Sequence, residues 1–356
     1  MGTLALIGLG SNLGDRKAVL DGAIESLAIA PGIVLEAVSS YHETAPVGGP
    51  AGQGPFLNAA ARLETSLDPS QLLARLQGIE HENGRERRVR WGERTLDLDL
   101  LLFGDQVIGR HFPFTQGWSA PHRPLQVPHP YLPFRHFVLA PAAEIAADLL
   151  DPISRRSIGQ LLANLDRRPS YLALPSAPVP STERLRRRFR LVTNTLKAAG
   201  WSRGDAPWIA PPSRDDSSGR PFKDLPEEVK ARRTRAKADA IRSRGEELRI
   251  DRWTEELWGD RWIVTDDWFD LFVGPFEMGV GMEEFWEVRR TVLEPTLVVL
   301  PRPFYKDLGL VINLGQFKEY GGWPIGGSGP PIYVPEARDV EGFAAEVGTL
   351  CAATRP

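Results

Sequence analysis

Cysteine is almost absent from this chain: one residue, Cys351, in 356. A disulfide framework within the chain is therefore excluded, and a thiolate metal centre would lack ligands. A reducing, cytoplasmic location is the expectation that follows. No apolar run is long enough to span a bilayer, so no membrane partner is expected. The opening Met1-Gly2-Thr3-Leu4-Ala5-Leu6-Ile7-Gly8 is apolar but has no basic region ahead of it, and Leu6 breaks the myristoylation pattern. An excess of positive charge is missing too. With 43 basic and 46 acidic residues the net charge is -3, so bulk attraction to nucleic acid is not expected. Any anion site must be a local patch. No internal repeat is found.

What is present is ordinary globular material, 42% hydrophobic and 25% charged, in a length that suits two domains. Residues 1–166 alternate strands and helices. Leu4–Leu9 reads as a buried first strand, followed by Gly8-Leu9-Gly10-Ser11-Asn12-Leu13-Gly14. Val19, Leu20, Ala23, Ile24 and Leu27 recur at helical spacing, and Gly32 follows. Ile33–Tyr41 and Phe56–Leu63 read as strands, separated by a Pro- and Gly-rich loop. Asp68-Pro69 is a helix N-cap with proline at the first helical position. Leu72, Leu73, Leu76 and Ile79 then face inward, and the helix ends near Gly84. Residues 105–128 are a long connection, and Phe134–Leu139 opens a last helical region to about Leu165. The expected class is an α+β sandwich.

One passage carries chemistry: Arg90-Trp91-Gly92-Glu93-Arg94-Thr95-Leu96-Asp97-Leu98-Asp99-Leu100. A cationic loop runs into a strand. Side chains alternate along a strand, so Asp97 and Asp99 share one face while Leu96, Leu98 and Leu100 share the other. Two carboxylates beside several arginines suit a divalent cation and a polyphosphate, because Mg²⁺ takes few protein ligands and fills its shell with water and phosphate oxygens. Gly8 and Gly10 are not a dinucleotide loop, since the full GxGxxG pattern fails at Leu13; they are read as packing positions.

These motifs come in a set. Gly8–Gly14, Phe56-Leu57-Asn58-Ala59, Arg90–Asp99, and Val127-Pro128-His129-Pro130 with Arg135 and Phe137 resemble 6-hydroxymethyl-7,8-dihydropterin pyrophosphokinase, in order and spacing, across about 165 residues. The resemblance implies a ferredoxin-like α/β sandwich and a hydroxymethyldihydropteridine diphosphokinase. Such a transferase moves a pyrophosphoryl group from ATP to the pterin hydroxymethyl oxygen, releasing AMP, in folate biosynthesis. It also implies two Mg²⁺ ions on Asp97 and Asp99. Arg85, Arg87 and Arg94 would be catalytic, the first two on a mobile loop that closes over the substrates. Gln77, Glu80, Trp91, Arg94, His129 and Arg135 would meet ATP. Thr44, Val47, Phe56, Asn58 and Phe137 would hold the pterin, the two Phe rings sandwiching its faces and the Asn58 amide reading its edge. In-line phosphoryl chemistry asks for positioning and charge neutralisation, which planar guanidinium groups supply bidentately.

The chain departs from the family pattern in three places. Its Gly84–Trp91 loop is about a residue shorter than in some members. Phe56 stands where some relatives carry Tyr. The 105–128 connection is an insertion, placed where it would cover the ATP site.

Beyond Arg167-Arg168-Pro169 the composition changes. Residues 170–356 read as a second, α/β domain, with a flexible stretch at 204–226 and a charged, solvated helix at 227–249. Tyr171–Thr182, Trp262–Asp270 and Glu294–Leu300 resemble, in order, features of a deoxynucleoside (P-loop) kinase. Prolines replace the loop glycines, however, and the lysine is missing. Proline removes the N–H donors that cradle phosphate, so this domain is expected to be degenerate and to serve dimerisation, stabilisation or partner binding. The bland alternative is an unrelated α/β domain. The rival functions are an inactive scaffold and a bifunctional enzyme with a working nucleoside kinase.

Overall fold

The computed structural model describes residues 2–85, 92–109, 125–167, 170–173, 228, 262–265, 297–299, 332–333 and 340–356. Asp166 closes the first segment of one compact unit, and Arg167 opens the other.

The first unit is built on β1 (Thr3–Ser11), β2 (Ile33–Val38), β3 (His42–Thr44), β4 (Phe56–Thr65) and β5 (Asp97–Phe103). The order is β2-β4-β1-β5, antiparallel throughout, with β3 continuing alongside β4 beyond β2. Helices α1 (Arg16–Ala28) and α2 (Pro69–Glu82) connect the strands in the β-α-β-β-α-β manner of a split βαβ sandwich. Both pack on one sheet face, where Leu20, Ala23, Leu27, Leu72, Leu76 and Ile79 meet Ala5, Ile7, Leu9, Leu63, Leu98 and Leu100. Helices α3 (His136–Ala146) and α4 (Ile158–Asp166) cover the opposite face through Leu139, Ala142, Ala146 and Leu161. The sheet is thus buried on both sides.

The local reasons are ordinary. Asp15 caps α1, its carboxylate accepting from Ala18 N–H at 3.1 Å. Asp68 and Gln71 form a reciprocal capping box at α2, with Pro69 at its start. Gly32 turns the chain at φ +79°, with Leu67 and Ser66 pressed close to where a Cβ would sit.

Two expectations are corrected, and one irregularity is added. The run Ile33–Tyr41 is a strand only as far as Val38: β2 ends there, the chain breaks at Ser39, and pairing with β4 resumes in β3 at His42. The Ser39 hydroxyl takes the Ala60 N–H at 2.9 Å and donates to Ser40 C=O at 2.8 Å, replacing ladder bonds. The last helical region is two helices parted by a turn at Asp151, whose carboxylate accepts the Ile153 and Ser154 N–H groups. Strand β5 carries a bulge: Leu6 faces Leu102 and Ile7 faces Leu100, leaving Leu101 extra. Leu101 and Leu102 therefore both turn to the α3 side, and Phe103 returns to the α1–α2 core.

In the other unit, β6 (Ser170–Ala173), β7 (Trp262–Thr265), β8 (Leu297–Val299) and β9 (Ile332–Tyr333) form a parallel sheet in the order β7-β6-β8-β9. Parallel strands are the expected mark of an α/β domain. The proline loop after β6 and the stretch 204–226 lie outside the described residues. Helix α5 (Val340–Ala353) holds the lone cysteine, Cys351, whose thiol burial pushes well above its ordinary range. Among the described residues no helix is long and apolar enough to cross a membrane.

Candidate active site

The site begins with strand register. Gly10 on β1 faces Asn58 of β4 on one side and Asp97 of β5 on the other. Cross-strand partners share a face, so Asn58 and Asp97 project together, with Asp99 following two residues on. Leu98 and Leu100 are buried in the opposite core, as the alternation required. Gly10 leaves the floor between them open. A Cβ there would sit 3.3 Å from Asn58 Oδ1, 3.9 Å from Phe56 Cδ1 and 4.0 Å from Asp97 Cβ.

Asp97 is the centre of a charge chain. Its Oδ1 lies 2.6 Å from Arg85 Nη2, and its Oδ2 pairs with Arg94 Nη1. Arg85 also pairs with Glu80, which is buried on α2. Glu80 Oε1 further accepts the backbone N–H of Leu98 at 2.8 Å, tying the helix to the carboxylate strand. Burial alone would raise the Asp97 carboxyl. The guanidinium charges of Arg94 and Arg85, with Arg135 behind, overcome that and hold it at about 2. Asp97 is therefore ionised at neutral pH.

Asp99 belongs to a second cluster. Arg135 Nη1 is 3.4 Å from its Oδ2, and His129 Nε2 is 3.8 Å away. Arg135 lies over the Tyr131 ring at 4.8 Å and over the Phe137 ring at 5.6 Å, a cation–π arrangement that steadies the guanidinium. The Tyr131 N–H donates to His129 Nδ1 at 3.2 Å, which leaves Nε2 to carry the ring proton. The His129 N–H in turn donates to the carbonyl of bulged Leu101 at 2.8 Å. The bulge thus fixes the histidine turn to β5.

The third group is Thr44, Phe56 and Asn58. Asn58 Nδ2 donates to Thr44 Oγ1 at 2.9 Å, which orients the amide. Thr44 pairs with Phe56 in register, and Phe56 borders Gly10. Val47 is half-buried in the following loop, whereas Gln77 is exposed on α2. Arg87, Trp91 and most of the 105–128 insertion lie outside the described residues. The ends of that insertion meet: Ile108 and Val127 exchange both backbone bonds, at 2.7 and 3.1 Å.

Two residues of the site had not been singled out. Asn12, 6% exposed, accepts the Arg94 N–H at 2.8 Å and donates its own N–H to Arg94 C=O at 3.1 Å. Its amide also reaches Gly54 C=O and Gln53 Oε1 at 3.4 Å. Tyr131 supports both Arg135 and His129. A polar residue ending an apolar strand was the available signal for Asn12; nothing in the spacing marked Tyr131.

Among the described residues no group of three or more His, Cys, Asp or Glu is placed to hold a metal. Two carboxylates with space beside them can serve Mg²⁺ only if water and phosphate complete its shell.

Residues 6–147 match the family model for 7,8-dihydro-6-hydroxymethylpterin-pyrophosphokinase, a span that contains every element of this site. A curated relative in Synechocystis sp., 2-amino-4-hydroxy-6-hydroxymethyldihydropteridine pyrophosphokinase, is 40% identical over 162 residues, covering 46% of this chain and 76% of the relative. The Bacillus subtilis protein of the same name is 46% identical over 145 residues, 41% of this chain and 79% of its own. A solved HPPK-DHPS structure from Plasmodium falciparum aligns with TM-score 0.36 at 12% identity over 54% of each chain. With two relatives matched over three quarters of their length, this chain belongs to the 7,8-dihydro-6-hydroxymethylpterin-pyrophosphokinase family.

Proposed function

We propose a division of labour for the reaction this chain carries out, transfer of pyrophosphate from ATP to 6-hydroxymethyl-7,8-dihydropterin in folate biosynthesis. The observation that carries it is Asp97, ionised and bracketed by Arg85 and Arg94 on the face it shares with Asp99 and Asn58. The oxygen donors of Asp97 and Asp99 fit Mg²⁺, and two ions are assigned to them. Held by Asp97 and Asp99, Mg²⁺ would supply charge neutralisation to the phosphates.

The pterin hydroxymethyl oxygen bonds to the β-phosphorus while the bond from that phosphorus to the α,β-bridging oxygen breaks. AMP leaves, and the hydroxyl proton passes to solvent water. No side chain is needed as a covalent carrier. Arg85 and Arg94 stabilise the charge moving onto the leaving group, with Arg87 as a third cation. His129, Arg135, Glu80, Gln77 and Trp91 position ATP. Phe56 and Phe137 stack on the pterin, Asn58 and Thr44 read its edge, and Val47 lines the pocket. Residues 170–356 are assigned a supporting, dimer-forming role in a cytoplasmic protein, for which sedimentation equilibrium of the full chain is the test.

AMP release from ATP, Mg²⁺ and the hydroxymethyl-dihydropterin tests the reading. Asp97→Ala should lower it at least ~10²-fold, the scale of removing one preorganised charge from an active site, with the circular dichroism unchanged. Full activity in that variant would move the metal elsewhere and end this assignment.

A further inference from the structure

Outside the reacting groups, one polar cluster joins the two walls of the pterin pocket. Glu144 lies on α3. Its Oε2 accepts the Ser40 N–H at 2.7 Å, and its Oε1 accepts the Ser40 hydroxyl at 2.7 Å. His42 Nε2 lies 2.6 Å from the same Oε1. Ser40 Oγ and His42 Nε2 are themselves 3.3 Å apart, so the three side chains close on one another.

The cluster's position gives it meaning. His42 faces Asn58 in register, and Thr44, two residues along the same strand, is the partner of the Asn58 amide. On the helix side, Phe137 and Glu144 are seven residues apart and lie on one face of α3, about 10 Å along its axis. The segment from Ser40 to Thr44 belongs to the Asn58–Phe56 wall, and α3 carries the Phe137 wall. Apolar packing of Leu139, Ala142 and Ala146 on Leu6, Ala60 and Leu102 already docks the helix. Such packing is non-directional and permits small slides. The Arg62 guanidinium bonds Ile145 C=O at 2.6 Å and holds the same helical turn. Charge-assisted hydrogen bonds fix direction as well as distance. The Ser40 bonds, followed by His42, keep the Glu144 carboxyl below its usual range, so the acceptor is charged where the enzyme works.

Resting on the assignment of Phe56, Asn58 and Phe137 to the pterin, we propose that Ser40, His42 and Glu144 form a clasp that sets the gap between the two pterin-stacking walls. They are positioning residues: none is assigned a contact with substrate. The clasp acts on pterin recognition; Arg94, Asp99 and His129 of the nucleotide side sit on other elements, and only Arg135, which caps α3, moves with Phe137.

The test is steady-state kinetics of the full chain with both substrates varied. Glu144→Ala should raise KM for the dihydropterin about tenfold, less than the hundredfold that a 1 Å misplacement can cost, with KM for ATP within about twofold of wild type. Glu144→Gln keeps one acceptor oxygen for Ser40 but loses the charge and the second acceptor, and should recover only part of the loss. A merely structural role would lower thermal stability without this split. Equal changes for the two substrates, or an unchanged pterin KM in folded Glu144→Ala, would overturn the clasp. Should Glu144→Ala not fold, Ser40→Ala decides by the same split. Phe137→Ala is the control for the underlying assignment. If it leaves pterin KM unchanged, the pocket itself is misassigned; if it raises KM while Glu144→Ala does not, the clasp alone fails.

Discussion

Glu80 offers the sharpest test of how the fold makes the site. It is 4% exposed on α2, and its Oε1 takes the Leu98 N–H at 2.8 Å while pairing with Arg85. Leu98 is also 4% exposed, so its amide has no route to water. Glu80→Ala leaves that amide without its acceptor, a penalty of about 1–3 kcal/mol. At 1.4 kcal/mol per factor of ten this is roughly 5- to 150-fold faster exchange of one backbone proton. A chain with two compact units need not unfold in one step, so amide exchange is a better reporter than a melting midpoint. Glu80→Gln separates two roles. Its side-chain oxygen still accepts from Leu98, so protection there should stay within about threefold of wild type. Its lost charge weakens the hold on Arg85, so AMP release should fall nonetheless. If Leu98 stays fully protected in Glu80→Ala while Ile7 and Leu9 are unchanged, α2 does not position the carboxylate strand and the reasoning fails.

Three further outcomes follow from the geometry. Gly10→Ala places a Cβ 3.3 Å from Asn58 Oδ1, so the amide must turn; stability should fall by about 1 kcal/mol and KM for the pterin should rise more than KM for ATP. Tyr41 donates to Asp21 at 2.5 Å, and burial, then Asp21, pushes its hydroxyl up to about 12. The folded chain thus keeps a proton that the unfolded chain releases near pH 10, so this contribution is complete below pH 10 and fades as pH rises through about 12; Tyr41→Phe should flatten denaturant-measured stability in that window. Asn12→Ala removes the acceptor for the Arg94 N–H, and titration calorimetry should show weaker binding of a non-hydrolysable ATP analogue by about 1–2 kcal/mol.

What could be read from the sequence divides along physical lines. Asp97 and Asp99 were legible because alternation on a strand is forced by backbone geometry, and Leu98 and Leu100 obey it. The cap at Asp68 was legible because it acts within one turn. The bulge at Leu101 was not, since Leu100-Leu101-Leu102-Phe103 is apolar throughout and hides a change of phase. The break at Ser39 was hidden for another reason: a hydroxyl standing in for a backbone acceptor leaves a strand-like sequence intact. Asn12, Tyr131 and Glu144 act across the fold, Glu144 on a partner 104 residues away, and no local pattern encodes such a pairing.

The two guanidinium groups on Asp97 show how the fold itself does the positioning. They come from anchors on different elements. Arg85 follows α2, its N–H bonded to Glu80 C=O at 3.1 Å and its side chain to the Glu80 carboxylate. Arg94 is held by Asn12, beyond the end of β1: its N–H donates to Asn12 Oδ1 and its C=O accepts the Asn12 N–H. Asp97 pairs with Gly10 of that same strand. A shift of α2 against the sheet would therefore pull Arg85 from one oxygen while Arg94 stayed on the other. The carboxylate is a junction where helix, central strand and edge strand meet, and its depressed pKa reflects the position of all three. Charge placed this way costs little reorganisation when phosphate arrives, because only side-chain tips must move. That is why disturbing Glu80 or Asn12, neither of them an arginine nor a metal ligand, is expected to reach the chemistry at Asp97.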